Sequence, residues 1–299
     1  METAALNVAV LGGDRRCGEV ITHFVGLGAR VRVAGVPWEE RFGEAVACSS
    51  AEEACAGSDV LILPVQGAGE DGTVFTEPGV PLCRLTAAAL AAVAPEARVF
   101  TGIAGKHLRN LCRDAGVALV EFREADEFAI ANSIPSAEGA IQMAMEAAPF
   151  TICDSHCLVL GFGRTGRSLA LLLKGLQARV TVASRHEVDL AWARASGYGA
   201  LALERLAEGA GSADILFNTV PAPLLNRSVL SRCRRGTIII DVATAPGGTD
   251  WQAAREFGLK AQLAPGLPGK VAPVTAGRII AETIVRYLAR SESPEEREA

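Results

Sequence analysis

Three glycines, at 161, 163 and 166, carry the clearest chemical signal in this chain. They follow the apolar run Cys157-Leu-Val-Leu160, and the segment Gly161-Phe162-Gly163-Arg164-Thr165-Gly166 leads into the helix-forming stretch Ser168-Leu-Ala-Leu-Leu-Leu173. A strand, a Gly-x-Gly-x-x-Gly turn and a helix in this order hold a dinucleotide pyrophosphate. The first glycine permits the tight turn, the second lets the phosphates reach the backbone, and the third lets helix and strand pack closely. The helix N-terminus then faces the anion. A glycine turn in an unliganded α/β domain is the competing reading, and the flanking strand and helix argue against it.

The next strand decides which dinucleotide fits. NAD sites place Asp or Glu at its end for the ribose hydroxyls. Here the strand reads Arg179-Val-Thr-Val-Ala-Ser184-Arg185-His186. Ser184 can donate to a phosphate and Arg185 can grip it in bidentate fashion, so NADP is favoured over NAD. Asn218-Thr219-Val220-Pro221 and Asp241-Val-Ala-Thr244 each follow a strand and supply polar groups and backbone for ribose, carboxamide and ring. Asp241 has a rival reading as a cap or turn residue. Ala264-Pro-Gly-Leu-Pro-Gly-Lys270 reads as a loop.

These motifs need a scaffold, and the chain supplies alternating elements. Strands are expected at 6–11, 29–34, 60–63, 98–101, 117–120, 157–161, 178–183, 214–218, 237–241 and 259–263. Helices are expected at 15–27, 86–93, 106–115, 135–148, 165–176, 187–196, 250–257 and 274–288. Alternation of this kind gives parallel sheets with helices on both faces. The fold class is α/β: two doubly wound, Rossmann-like domains with an interdomain cleft bridged by helices. The expected divisions are 1–134, a substrate or partner domain; 135–150, a linking helix; 151–273, the cofactor domain; 274–290, a second bridging helix; and 291–299, a tail that frays.

Composition narrows the partners. The chain has 299 residues, 49% hydrophobic and 21% charged, with net charge −5 and no basic cluster, which argues against nucleic acid. No apolar run reaches the roughly 18 residues of a membrane span, and the N-terminus lacks the pattern of a signal peptide. A cytoplasmic protein is expected. Its eight cysteines form no C-x-x-C pair, so reduced thiols are the simplest reading. Cys153, His156 and Cys157 lack an evident fourth ligand, and no metal is expected.

Three segments together resemble the family of the dipicolinate synthase A subunit: Val10-Leu-Gly-Gly-Asp-Arg15, Glu127-Phe-Ala-Ile-Ala-Asn132-Ser133-Ile-Pro135-Ser-Ala-Glu138-Gly-Ala-Ile-Gln142, and the glycine motif. The resemblance covers about residues 6 to 290. It implies oxidation of dihydrodipicolinate, or its hydroxylated tetrahydro precursor, to pyridine-2,6-dicarboxylate during sporulation, in the mother cell, with a flavoprotein partner, the B subunit of dipicolinate synthase. A homo-oligomer is expected alongside. A dianionic substrate asks for cations, and Arg15 and Arg16 are placed to supply them, with Lys106 and Lys270 as further candidates. Asn132 and Ser133, at the expected start of the linking helix, offer neutral donors where the helix dipole favours an anion. Proton removal needs a base. Glu138 is favoured, with His107 and Asp241 as rivals, and Ser133 joins Glu138 as a catalytic candidate. Ser136 has a competing role as a helix cap. Two other classes remain. One is another two-domain dehydrogenase, of the hydroxyacid or methylenetetrahydrofolate type, although neither an Arg–Glu–His set nor a Lys-centred folate motif is evident. The other is a non-catalytic cofactor-binding scaffold for the flavoprotein.

Overall fold

A computed structural model describes residues 6–290; the tail expected to fray, 291–299, lies outside the described residues. The chain forms two compact units. One comprises the residues through Ala131 and those from Pro273 on, and the other comprises Asn132–Ala272.

The first unit runs β1 (Asn7–Leu11), α1 (Arg15–Gly26), β2 (Arg30–Ala34), β3 (Val46–Ala47), α2 (Ala51–Cys55), β4 (Val60–Ile62), β5 (Thr73–Val74), β6 (Cys83–Arg84), α3 (Ala87–Ala91), β7 (Arg98–Thr101), α4 (Lys106–Ala115) and β8 (Ala118–Glu121). Six strands form a parallel sheet in the order β3-β2-β1-β4-β7-β8, and β5 and β6 pair as a small antiparallel hairpin. That hairpin lies between β4 and α3, where the sequence reading places no strand.

Helix α5 (Asp126–Ala147) leads into the second unit: β9 (His156–Leu160), α6 (Arg164–Gly175), β10 (Arg179–Ser184), α7 (Glu187–Ala195), β11 (Gly199–Ala202), α8 (Leu206–Ser212), β12 (Ile215–Asn218), α9 (Arg227–Leu230), β13 (Ile238–Asp241), α10 (Trp251–Glu256), β14 (Lys260–Leu263) and α11 (Leu267–Val271). Its parallel sheet has the order β11-β10-β9-β12-β13-β14. The central strands are apolar almost throughout (Cys157-Leu-Val-Leu160, Ile215-Leu-Phe217, Ile238-Ile-Ile240) and fully buried, as strands covered on both faces must be. Each Leu, Ile or Phe so buried contributes about 1.5–3 kcal/mol. Helix α6 lays Gly166, Leu169, Ala170 and Leu173 on the sheet at helical spacing.

Beyond the short elements the sequence reading does not place (β3, α2, the β5–β6 hairpin, β11, α8, α9 and α11), two expected helices differ from it. The helix expected from Pro135 begins nine residues earlier, at Asp126, and carries Pro135 in its interior. Proline has no N–H to give the carbonyl of Ala131, a cost that normally ends a helix. Tertiary packing outweighs it here: Phe128 anchors in the first unit's core, and Ala137, Ala140, Ile141 and Ala144 in the second's. The final helix, α12 (Pro273–Arg290), expected as a bridge, packs on α1 within the first unit. A Cβ on Gly277 would strike the Arg16 carbonyl oxygen and the Glu19 Cβ, so glycine is what permits this close approach.

Candidate functional site

Both sheets reverse their strand order once, between β1 and β4 and between β9 and β12, and ligands of open α/β sheets bind outside the carboxyl ends at such a point. In the second unit, Leu160 is level with Ala183 of β10 and Asn218 of β12. Gly161, Ser184 and Thr219 therefore come together one residue further along. A pocket of about 460 Å³ opens there, lined by Gly161, Phe162, Gly163, Ser184, Arg185, His186, Asp189, Leu203, Val220, Pro221, Ala222 and Leu224, with Ala183.

The glycines divide the work as their spacing suggests. Gly161 has φ +88°, and a Cβ on it would lie 2.7 Å from both Thr219 Oγ1 and Val220 Cγ2. A Cβ on Gly166 would strike the Gly161 carbonyl oxygen, so helix and turn touch. Gly163 has open space around it: nothing lies within 4 Å of an added Cβ. Gly163 caps α6 with no side-chain hydrogen bond. The N-terminus of α6 thus begins at the pocket's glycine edge with a residue that has no side chain to cap it, which suits a phosphate. Arg164 is exposed and Thr165 half-buried. Phe162 is buried beneath the Arg167 guanidinium, 5.3 Å from its ring centre, and Arg167 Nε donates to the Phe162 carbonyl at 2.9 Å. These residues fit the diphosphate of a dinucleotide.

At the end of β10 the structure adds a residue that sequence spacing did not single out. Asp189, in the first turn of α7, accepts a 2.8 Å hydrogen bond from the Ser184 hydroxyl, and its other oxygen lies 3.7 Å from Arg167 Nη2. The His186 N–H donates to Ser184 Oγ at 3.2 Å. The single proton of the Ser184 hydroxyl is thereby committed to Asp189, so Ser184 does not stand ready to donate to a phosphate as expected. Arg185 and His186 are exposed at the pocket rim, with Arg185 Nε 3.1 Å from His186 Nε2. A polar first-turn residue five positions after the strand end was the only sequence signal for Asp189.

Asn218, Thr219 and Asp241 act from behind the pocket. Asn218 and Asp241 are fully buried. Asp241 accepts from Asn218 Nδ2 (2.9 Å), Ala243 N (3.2 Å), Gly248 N (2.8 Å) and Thr249 Oγ1 (2.6 Å). This saturates the carboxylate and pins the loop after β13, so Asp241 serves neither as a base nor as a direct ribose contact. Asn218 also donates to the Val220 carbonyl and accepts from the Val220 N–H, both at 3.1 Å, which fixes Val220-Pro221 against the pocket. Thr219 Oγ1 donates to the Leu160 carbonyl at 2.7 Å. The 264–270 segment, read as a loop, contains the short α11, whose Leu267 packs on Gly139.

The substrate-side candidates scatter. Asn132 and Ser133 lie inside α5, not at its start, so no free helix terminus backs them. Ser133 is buried and shares a 2.6 Å hydrogen bond with Ser168 of α6, a packing contact. Ser136 donates to the Asn132 carbonyl in mid-helix instead of capping. Glu138 is exposed beside a separate apolar groove of α5 and α6, with Ile141, Met145, Leu171 and Leu176, and does not line the dinucleotide pocket.

In the first unit, Arg15 is exposed. Arg16 directs Nε and Nη2 onto Asp14 at 2.8 and 2.7 Å. Burial raises the Asp14 pKa, but the Arg16 hydrogen bonds and charge outweigh it and hold the carboxyl below its usual range. Burial, helped by Asp14's charge, pushes the neighbouring Cys17 thiol up to about 12 and keeps it protonated. The Gly12-Gly13 turn is closed by its own chain: Gly13 N donates to the Phe75 carbonyl at 2.6 Å, and a Cβ on Gly12 would meet Val74 and Phe75. Among the described residues no His, Cys, Asp or Glu group is arranged to hold a metal ion, and no helix is long and apolar enough to cross a membrane.

Comparison with known proteins agrees with this division. Residues 7–123 match the family model of the N-terminal domain of the dipicolinate synthase A subunit, and residues 134–247 match the NAD binding domain of D-isomer specific 2-hydroxyacid dehydrogenases. The chain is 38% identical to the dipicolinate synthase A subunit of Bacillus subtilis (strain 168) over 97% of its own length and 98% of that protein's. The crystal structure of the dipicolinate synthase A subunit from Bacillus halodurans superposes with a TM-score of 0.88 at 35% identity, covering 94% of this chain and 97% of that one. The crystal structure of its Bacillus subtilis counterpart gives 0.88 at 37%, covering 96% and 98%. The chain is an α/β protein of two parallel-sheet domains with a nicotinamide-dinucleotide binding unit, and it belongs to the family of the dipicolinate synthase A subunit.

Proposed function

We propose that this chain is the dehydrogenase component of a two-component enzyme. It oxidises dihydrodipicolinate, or its hydroxylated tetrahydro precursor, to pyridine-2,6-dicarboxylate, with NADP as cofactor and the flavoprotein B subunit as partner, in the cytoplasm of a sporulating mother cell. The observation that carries the reading is the open space at Gly163, the glycine that starts α6, at the switch point of the second sheet. Nicotinamide, when bound, supplies the hydride acceptor for aromatisation. The protein's part is to seat the diphosphate on the Gly163–Thr165 backbone and to shape the pocket with Val220-Pro221, held by Asn218 and Asp241. Arg185 would hold the 2′-phosphate at the rim, beside His186. Arg15 and Arg16 contribute charge for the substrate's carboxylates, and the Asp14 pair orients Arg16.

The test is reconstitution. Purified chain, flavoprotein partner, NADP and the product of dihydrodipicolinate synthase are mixed, and dipicolinate absorbance is followed. Product that requires NADP and this chain supports the reading. Full product formation without this chain, or none with all components present, overturns it.

A further inference from the structure

We propose that Asp189 is a cofactor-selectivity residue. Its carboxylate enters the adenosine end of the pocket from α7, holds the Ser184 hydroxyl and offsets Arg167, and so limits how strongly the pocket prefers a dinucleotide with a 2′-phosphate. The inference rests on the reading of this pocket as a nicotinamide-dinucleotide site.

Three observations carry it. Asp189 lines the same pocket as Ser184, Arg185 and His186. It is the acceptor for Ser184 at 2.8 Å, so the strand-end hydroxyl points its proton at a carboxylate. Its second oxygen lies 3.7 Å from Arg167, a side chain at the phosphate-facing first turn of α6. The pocket therefore contains one carboxylate acting against its rim cation, Arg185. A ribose hydroxyl can donate to a carboxylate, whereas a 2′-phosphate is repelled by it. Arg185 favours the phosphate and Asp189 opposes it, and the balance between the two sets the ratio of affinities. Unlike the strand-end acid of an NAD site, this carboxylate comes from the following helix.

Asp189→Asn keeps the size and an acceptor for Ser184 while removing the charge. Titration of the purified chain with NADPH and with NADH, by calorimetry or cofactor fluorescence, gives two dissociation constants per variant. The expected result is a roughly five- to tenfold gain in the NADPH-over-NADH affinity ratio, the effect of one unit charge on another across a partly solvated pocket. An unchanged ratio, or a ratio that moves toward NADH, overturns the proposal. Because a ratio is read, any folding loss common to both titrations cancels, and Asp189→Ser provides a second neutral variant. A wild-type protein that binds neither cofactor removes the pocket reading itself and this inference with it. Wild-type binding with an unchanged ratio in both variants removes this inference alone.

Discussion

Gly163 and Gly166 are three residues apart in one motif, yet the structure assigns them opposite consequences on substitution. A Cβ at 166 would strike the Gly161 carbonyl oxygen and lie 2.9 Å from the Gly161 carbonyl carbon. That turn cannot yield, because Gly161 is itself wedged against Thr219 and Val220 at φ +88°. Gly166→Ala must therefore push α6 off β9, an overpacking cost of about 1–3 kcal/mol. At about 2–4 °C per kcal/mol for a unit of this size, the melting temperature should fall by roughly 2–12 °C. Gly163→Ala meets nothing within 4 Å, so its stability change should stay under about 1 kcal/mol. Its methyl group would instead occupy the phosphate seat. Loss of two charge-assisted hydrogen bonds, at about 1.5 kcal/mol each, weakens cofactor binding by roughly 10²-fold. Thermal melts and NADPH titrations of the two variants, side by side, give the answer. A Gly163→Ala protein that binds NADPH like the wild type would refute the placement of the diphosphate. One that melts as low as Gly166→Ala would refute the claim that position 163 is sterically free.

Other substitutions test the surrounding parts. Arg185→Ala should weaken NADPH binding about tenfold and leave NADH within twofold, as expected for loss of a phosphate-pairing guanidinium; equal losses would count against a 2′-phosphate contact. Asp241→Ala should cost about 3–5 kcal/mol in a denaturant melt, since it strands the buried Asn218 amide and Gly248 N–H. A cost below about 1 kcal/mol would show that the loop after β13 does not depend on this carboxylate. Asp14→Asn should destabilise at neutral pH. The native Asp14 pKa is depressed, so its contribution is full above the unfolded value of about 3.9 and is lost as the pH falls through the lower native one. The difference from wild type should close toward pH 2, and a difference that widens in acid would contradict the sign.

The core of the cofactor unit is written in contiguous residues. The run from Cys157 through Gly166 is local: a continuous apolar strand and a glycine spacing whose consequences follow from backbone sterics within ten residues. The alternation of strands and helices was legible for the same reason, and the strand-end positions of Ser184, Val220 and Pro221 followed from it. What the sequence could not show depends on partners distant along the chain. Pro135 looks like a helix start until Phe128 and Ala137 are seen anchored in their cores. Asp241 looks like a free acid at a strand end until Asn218, Gly248 and Thr249 close around it. The partner of the Gly12-Gly13 turn, the Phe75 carbonyl, lies some sixty residues away in sequence. Asp189 gains meaning only because the helix start folds back onto Ser184. Periodicity and turn chemistry are properties of neighbours in sequence, and they fixed the scaffold and the phosphate turn. Which polar groups remain free for a ligand is settled by hydrogen-bond saturation in a buried environment, and only the tertiary structure decides that.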